Sequence, residues 1–210
     1  MKKLLLAIGL LYTISHATQP AAGTNQYLLK QSNKIHVEWR AYKTFAKIGV
    51  GGTFTAVNYT PAKLEGNNFK ELLVGSKVQI ETTTVNTDDP QRDKTLVTFF
   101  FHQLSKTTID GVIKDIHADP YVKGKPRTGI INVMFTMNEK SLVIPMQYKY
   151  DIDRFSAQGT IDIADFNALP ALASINKNCY DLHEGKTWRD VTISFSTTIK
   201  ASLPDDSAAK

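Results

Sequence analysis

Cysteine is almost absent from this chain: Cys179 is the only one. An internal disulfide is therefore excluded, and stability has to come from burial. No apolar run approaches the roughly 20 residues that a helix needs to span a bilayer. Recognised catalytic spacings are missing too. The sequence has no G-x-S-x-G elbow, no P-loop and no H-E-x-x-H, which are the marks of a serine nucleophile, a phosphate cradle and a zinc site. Basic residues are not clustered: the formal net charge is +5, and Lys123, Lys125 and Arg127 are spread over a loop rather than gathered in a run. A nucleic-acid partner, which normally leaves a basic stripe, is not indicated.

The remaining titratable groups have bland explanations. Cys179 and His183 stand one helical turn apart without a third or fourth ligand, so no metal is expected. With Leu172, Ile175 and Leu182, Cys179 falls on an apolar helix face, the place of a buried small hydrophobe; an intermolecular disulfide is the alternative. His36 lies on the polar face of a strand. The acid pairs Asp88-Asp89 and Asp151/Asp153 sit at turns, where capping accounts for them. Gly49-Val50-Gly51-Gly52 joins two strands and leads into no helix, so it reads as a bend. No catalytic residue and no cofactor is expected.

What is present begins with an export leader. Lys2 and Lys3 precede the apolar run Leu4–Leu11, and Ser15-His16-Ala17 resembles a cleavage site. Residues 1–17 are expected to be a signal peptide, 18–203 one domain and 204–210 a flexible tail. Removal of two lysines with the leader leaves a net charge of about +3. The Met-Lys-Lys start looks bacterial, so the expected location is the periplasm or the medium.

The body reads as strand after strand. Ile35, Val37, Trp39 and Ala41 alternate with His36, Glu38, Arg40 and Tyr42. Leu142, Ile144, Met146, Tyr148, Tyr150 and Ile152 form one face of a later strand, whose Pro145 suits an edge or bulge. Phe155 to Ile163 and Asp190 to Lys200 alternate in the same way. A hairpin is expected around Asn138-Glu139-Lys140, a turn at Asp153-Arg154, a polar connection over 61–70, and a helix from about Ala168 to Tyr180 capped by Asn167. Eight or nine strands, each with one apolar and one polar face, point to an antiparallel sheet closed on itself. By alternation Val37, Trp39, Phe54, Ile80, Val133, Phe135, Ile144, Met146, Tyr148, Phe155, Ile193 and Phe195 face inward. An interior of that size is either filled by side chains or holds one ligand, and periodicity leaves both open.

The most informative stretch is Ser76–Phe101. It starts as a strand with Val78, Ile80, Thr82 and Thr84 on one face, meets the helix-start signal Asp88-Asp89-Pro90, and ends in Phe99-Phe100-Phe101. Thr84, Val85 and Thr87, then Arg92, Asp93 and Leu96, then Phe99 and Phe100 resemble a pattern of the YceI-like family of bacterial secreted barrels. Gly52-Thr53-Phe54 after Trp39, the run Gly159, Ile161, Ile163, Asp165 and Phe166, and the run Val191, Ile193 and Phe195 resemble further motifs of it. The chain departs from the family at Thr95 and Val97 of the helix, at Glu139 where a glycine is usual, and in a longer helical insertion over 168–185.

The resemblance implies a mainly β, single lipocalin-like antiparallel barrel of about eight strands with one or two short helices. It also implies a long-chain amphiphilic lipid in the interior: a polyisoprenoid, an isoprenoid quinone or a fatty-acid derivative. The inward residues above would line the cavity, with Phe99 and Phe100 at its entrance. Polar anchors for a head group would come from Arg92, Asp93, Tyr148 or Gln147; alternatively, Arg92 and Asp93 tie the helix to the barrel. A homodimer is a further implication. Two other readings stand beside this one. A filled barrel could act through its loops at 61–70 and 123–127 as a surface-interaction or stress protein, or a lipid-modifying enzyme could use Cys179, His183 or Asp93.

Overall fold

Period-two apolar runs become an antiparallel sheet that curls until its two ends meet. The computed structural model describes residues 27–202; the expected leader at 1–17 and tail at 204–210 lie outside the described residues. The strands are β1 (Leu28–Gln31), β2 (His36–Lys43), β3 (Ile48–Phe54), β4 (Val57–Thr60), β5 (Glu65–Gly66), β6 (Lys77–Glu81), β7 (Val85–Asn86), β8 (Thr108–Ala118), β9 (Arg127–Met137), β10 (Lys140–Asp151), β11 (Arg154–Asp162) and β12 (Asp190–Ser202). The helices are α1 (Phe69–Leu73), α2 (Pro90–Phe99), α3 (Leu169–Asn178) and α4 (Tyr180–His183). Among the described residues no helix is long and apolar enough to cross a membrane.

Pairing runs β4-β6-β8-β9-β10-β11-β12-β2-β3-β7. The two ends of this path are halves of the same pair of staves. The chain bends from β3 into β4 and from β6 into β7, while β3 pairs with β7 and β4 with β6. Hydrogen bonds across the bend, from Thr55 N–H to the Thr84 carbonyl (3.0 Å) and from Glu81 N–H to the Ala56 carbonyl (3.1 Å), keep the seam continuous. The ring therefore closes, with β3–β4 and β6–β7 each acting as one stave.

The expected count of about eight strands is corrected to twelve segments. Two of the staves are broken, and β1 with β5 adds a ribbon along the far half of β12. The break in β6–β7 has a local cause. Thr82, read from the sequence as a strand residue, starts a 3-10 turn through Thr84, and its hydroxyl donates to the Thr107 carbonyl at 2.6 Å.

One end of the barrel is plugged. The expected polar connection over 61–70 instead carries β5 and leads into α1, which Asn68 caps by accepting the Glu71 N–H at 2.8 Å. Leu72 and Leu73 are completely buried. Phe69 meets Tyr148, Tyr150 and Phe155 edge-on, and Phe155 stacks against Tyr148 and Phe195. Pro145 lies where the β10–β11 ladder has already ended, since its first pair is Gln147 with Gln158. A residue without an N–H is tolerated beside that open edge.

Both hairpin turns are one residue off their expected positions. Lys140 pairs with Met137, leaving the two-residue loop Asn138-Glu139, and Arg154 pairs with Asp151, leaving Ile152-Asp153. All four loop residues have positive φ, as a type I′ turn requires. A β-branched side chain suits that region poorly, and Ile152 is 92% exposed, so packing does not compensate. Ile152→Asn should therefore raise the unfolding free energy by about 1 kcal/mol, read as a higher urea midpoint at unchanged slope.

Candidate functional site: an apolar cavity beneath a two-helix lid

The other end of the barrel is covered by α2 and α3. Asp89 caps α2 by accepting the N–H groups of Gln91 and Arg92, both at 3.1 Å, and Pro90 occupies the first turn. Arg92 and Asp93 then fasten the helix to the loop after β7. The Thr87 hydroxyl donates to Asp93 (2.6 Å) and accepts from Arg92 Nε (2.9 Å), while Arg92 Nη2 donates to the Thr87 carbonyl (2.9 Å). This geometry is that of a tie, the alternative role read from the sequence.

The expected helix over 168–180 breaks at Cys179 into α3 and α4. Asn167 does not cap it. That residue is left-handed (φ 56°) and ends the 3-10 turn Ile163–Phe166. The break also turns Leu182 out of the apolar face, leaving it 74% exposed, while Leu172, Ile175 and Cys179 stay buried against Leu96, Phe99 and Phe100.

Between lid and plug lies a cavity of about 160 Å³. Among the expected lining residues, the structure puts Val37, Trp39, Phe54, Ile80, Phe100, Val133, Phe135, Met146, Ile193 and Phe195 on its wall. Four others belong elsewhere. Ile144 is packed core, Tyr148 and Phe155 belong to the aromatic plug, and Phe99 sits under α3. Gln147 points to the outside of the barrel, opposite Gln158, because it alternates with the buried Met146 and Tyr148. Neither it nor the Arg92–Asp93 tie reaches the cavity wall.

Several wall residues escaped the sequence reading, notably Ile109, Ile113 and Met137 from the barrel, Phe101 from the 3-10 turn after α2, and Leu96, Leu172 and Ile175 from the lid. Ile109, Ile113 and Met137 could have been found by extending the alternation of β8 and β9. A wall of hydrocarbon around a space this size stays dry and accepts an apolar molecule. The volume is below the roughly 300–1,000 Å³ of pockets for drug-sized ligands. A long chain would thus have to displace lid side chains such as Phe100.

At two titratable groups of the lid, Cys179 and His183, burial favours the neutral form. Burial pushes the Cys179 thiol up, against a smaller opposing effect of Lys43, so it is an unreactive thiol at neutral pH. His183 is also buried, and burial, helped by the Lys43 ammonium, lowers its proton affinity below the usual imidazole value. Its contribution to stability is therefore complete above the unfolded value of about 6.5. It is lost as the pH falls from there through the folded value, because only the unfolded chain takes the proton. Thermal midpoints should drop between neutral and mildly acidic pH, and His183→Gln should flatten that part of the profile.

Comparison with known proteins places this geometry in a family. No curated protein matches the chain by sequence. A polyisoprenoid binding domain from Saccharophagus degradans has a similar structure, with a TM-score of 0.56 at 13% identity over 84% of this chain and 99% of that one. Burkholderia cenocepacia BcnA follows with a TM-score of 0.52 at 12% identity over 79% of this chain and 96% of that one. At such identities the likeness shows the fold alone. The sequence model of the YceI-like domain matches residues 28–199, from β1 to β12, and the chain accordingly belongs to the YceI-like family.

Proposed function

We propose that this protein is an exported carrier of one long-chain amphiphile of the polyisoprenoid, isoprenoid-quinone or fatty-acid class, held in the barrel interior. The carrying observation is the hydrocarbon-lined cavity between the aromatic plug and the lid. Filling it with an apolar chain removes surface from water on both sides, and each buried methylene contributes about 0.8 kcal/mol before ordering costs. The polyisoprenoid binding of the S. degradans relative supports the class of ligand. Export rests on the N-terminal leader pattern, and a periplasmic or secreted location follows from it. The absence of any catalytic spacing in the sequence favours binding over turnover.

Native mass spectrometry of the exported protein, followed by solvent extraction, tests the proposal. A stoichiometric long-chain molecule is the expected result. A bare mass that stays unchanged after incubation with isoprenoid quinones and fatty-acid derivatives would sink it and favour a barrel acting through its surface loops.

A further inference from the structure

Four large apolar side chains stand in water at one corner of the lid. Phe45 lies in the turn between β2 and β3, Ile48 begins β3, and Tyr180 and Leu182 belong to α4; they are 52–74% exposed. Backbone bonds tie the turn to the strap that follows α4. Thr44 N–H donates to the Lys186 carbonyl at 2.9 Å and Trp188 N–H to the Tyr42 carbonyl at 2.8 Å, while Trp188 Nε1 donates to the Thr44 carbonyl at 2.8 Å. The Tyr180 ring lies against Gly185, in the same strap. Cations accompany the apolar groups: Lys47 and Lys186 sit over the Trp188 ring, 4.9 and 4.4 Å from its centroid. Residues 43–48 and 177–190 together hold five lysines and arginines against three acids. Apolar residues exposed singly are ordinary, but a gathered patch rimmed by charge marks an interaction site.

We propose that this corner docks on the surface of a lipid bilayer bearing anionic head groups. This rests on the carrier reading above and adds to it the partner with which cargo is exchanged. α4 follows α3 through Cys179, which packs with α3 on Leu96, Phe99 and Phe100, so a bilayer met by α4 is met by the cover of the cavity. The four side chains project from a turn and a one-turn helix, and such tips enter deformable lipid without needing matching pockets. Tryptophan and tyrosine join an apolar body to a polar tip, and lysine can carry its ammonium out to the head groups, the composition of a membrane interface. The excess of cations complements anionic lipid. A second copy of the chain is a poorer occupant. The exposed apolar area is on the order of 500 Å², short of the about 800 Å² per partner that a stable dimer buries.

Co-sedimentation of the exported protein with vesicles of phosphatidylcholine and phosphatidylglycerol reads the docking. The protein should sediment with them, and more weakly with phosphatidylcholine alone. Phe45→Ser combined with Leu182→Ser should cut binding at least about tenfold, and Lys186→Gln should cut it about fivefold, for the anionic vesicles only. None of these residues lines the cavity, so both variants should take up farnesol, followed by native mass spectrometry, as the unmodified protein does. Tyr121→Ser with Val122→Ser changes an exposed pair in the β8–β9 loop, toward the plugged end, and should leave sedimentation unchanged. No vesicle binding by the unmodified protein, or binding that survives the change at Phe45 and Leu182, would overturn the docking surface. The carrier reading stays intact in either case as long as farnesol is taken up. A dimer that the same double change dissociates, without vesicle binding, would overturn the surface in favour of contact between copies. Vesicle binding lost with both lid variants but without farnesol uptake by any form would leave the surface standing and take the carrier reading down.

Discussion

Phe155→Ala should lower the unfolding free energy by about 3–5 kcal/mol, a large share of the roughly 5–15 kcal/mol that holds a domain together. Phe155 is completely buried, stacked on Tyr148 at 5.1 Å and met edge-on by Phe69 at 5.4 Å. Truncation removes the ring's apolar burial together with these contacts, which aromatic pairs carry beyond their area. The hole should not collapse easily, because Phe155 sits on a strand paired on both sides and Phe69 is held by a capped helix. Urea denaturation reads the effect directly. Phe45→Ala at an exposed turn, where Phe45 is 71% exposed, should change stability by no more than about 0.5 kcal/mol. A loss below about 1 kcal/mol at Phe155 would mean that α1 moves in to fill the space, against the rigid plug described above.

Phe100→Lys should have the opposite profile, with a loss of at least tenfold in retained long-chain ligand and a stability cost of only about 1–2 kcal/mol. Phe100 is partly buried, lies edge-on to Phe101 at 5.3 Å, and lines the cavity under α3. A lysine there can turn its ammonium toward the rim, which limits the damage to folding. Its charge nevertheless stands in the path of an apolar chain. Native mass spectrometry and urea titration of the same preparation separate the two effects. Equal losses in both would assign Phe100 to the core and leave the entrance elsewhere.

Strand positions were legible wherever one face meets the interior and the other meets water. β10 and β12 alternate almost without fault, and the resemblance to the YceI-like family agreed with them. The site was harder to read, for physical reasons. Alternation tells in from out, but not which inward residue faces empty space and which a neighbour. Met146 and Tyr148 share a face of β10, yet one lines the cavity and the other stacks in the plug. That difference is made by Phe69, more than 70 residues earlier in the chain. Phe69 could have been noticed: Asn68 three residues before Glu71, followed by Leu72 and Leu73, is a helix-start signal with an apolar sequel. The candidate polar anchors were hard to read for a different reason. Arg92 and Asp93 are chemically able to hold a head group, and only the position of the Thr87 hydroxyl between them shows that they are already engaged.

The strand β12 sets an order of events. It pairs with β11, β2 and β1, and it supplies Val191, Ile193 and Phe195 to the cavity wall. Its partner in β2 lies about 160 residues earlier, as in the pair Ser196 with His36, so the last closure joins segments far apart in the chain and is intrinsically slow. Until residues 190–202 are in place the interior is an open trough with unpaired edges on β11 and β2, which are sites for wrong association. A chain threaded across a membrane from its N-terminus would have no interior to fill on the near side. If the protein is exported unfolded, as the proposed leader implies, its interior would form, and a ligand would be taken up, at the destination rather than at the site of synthesis.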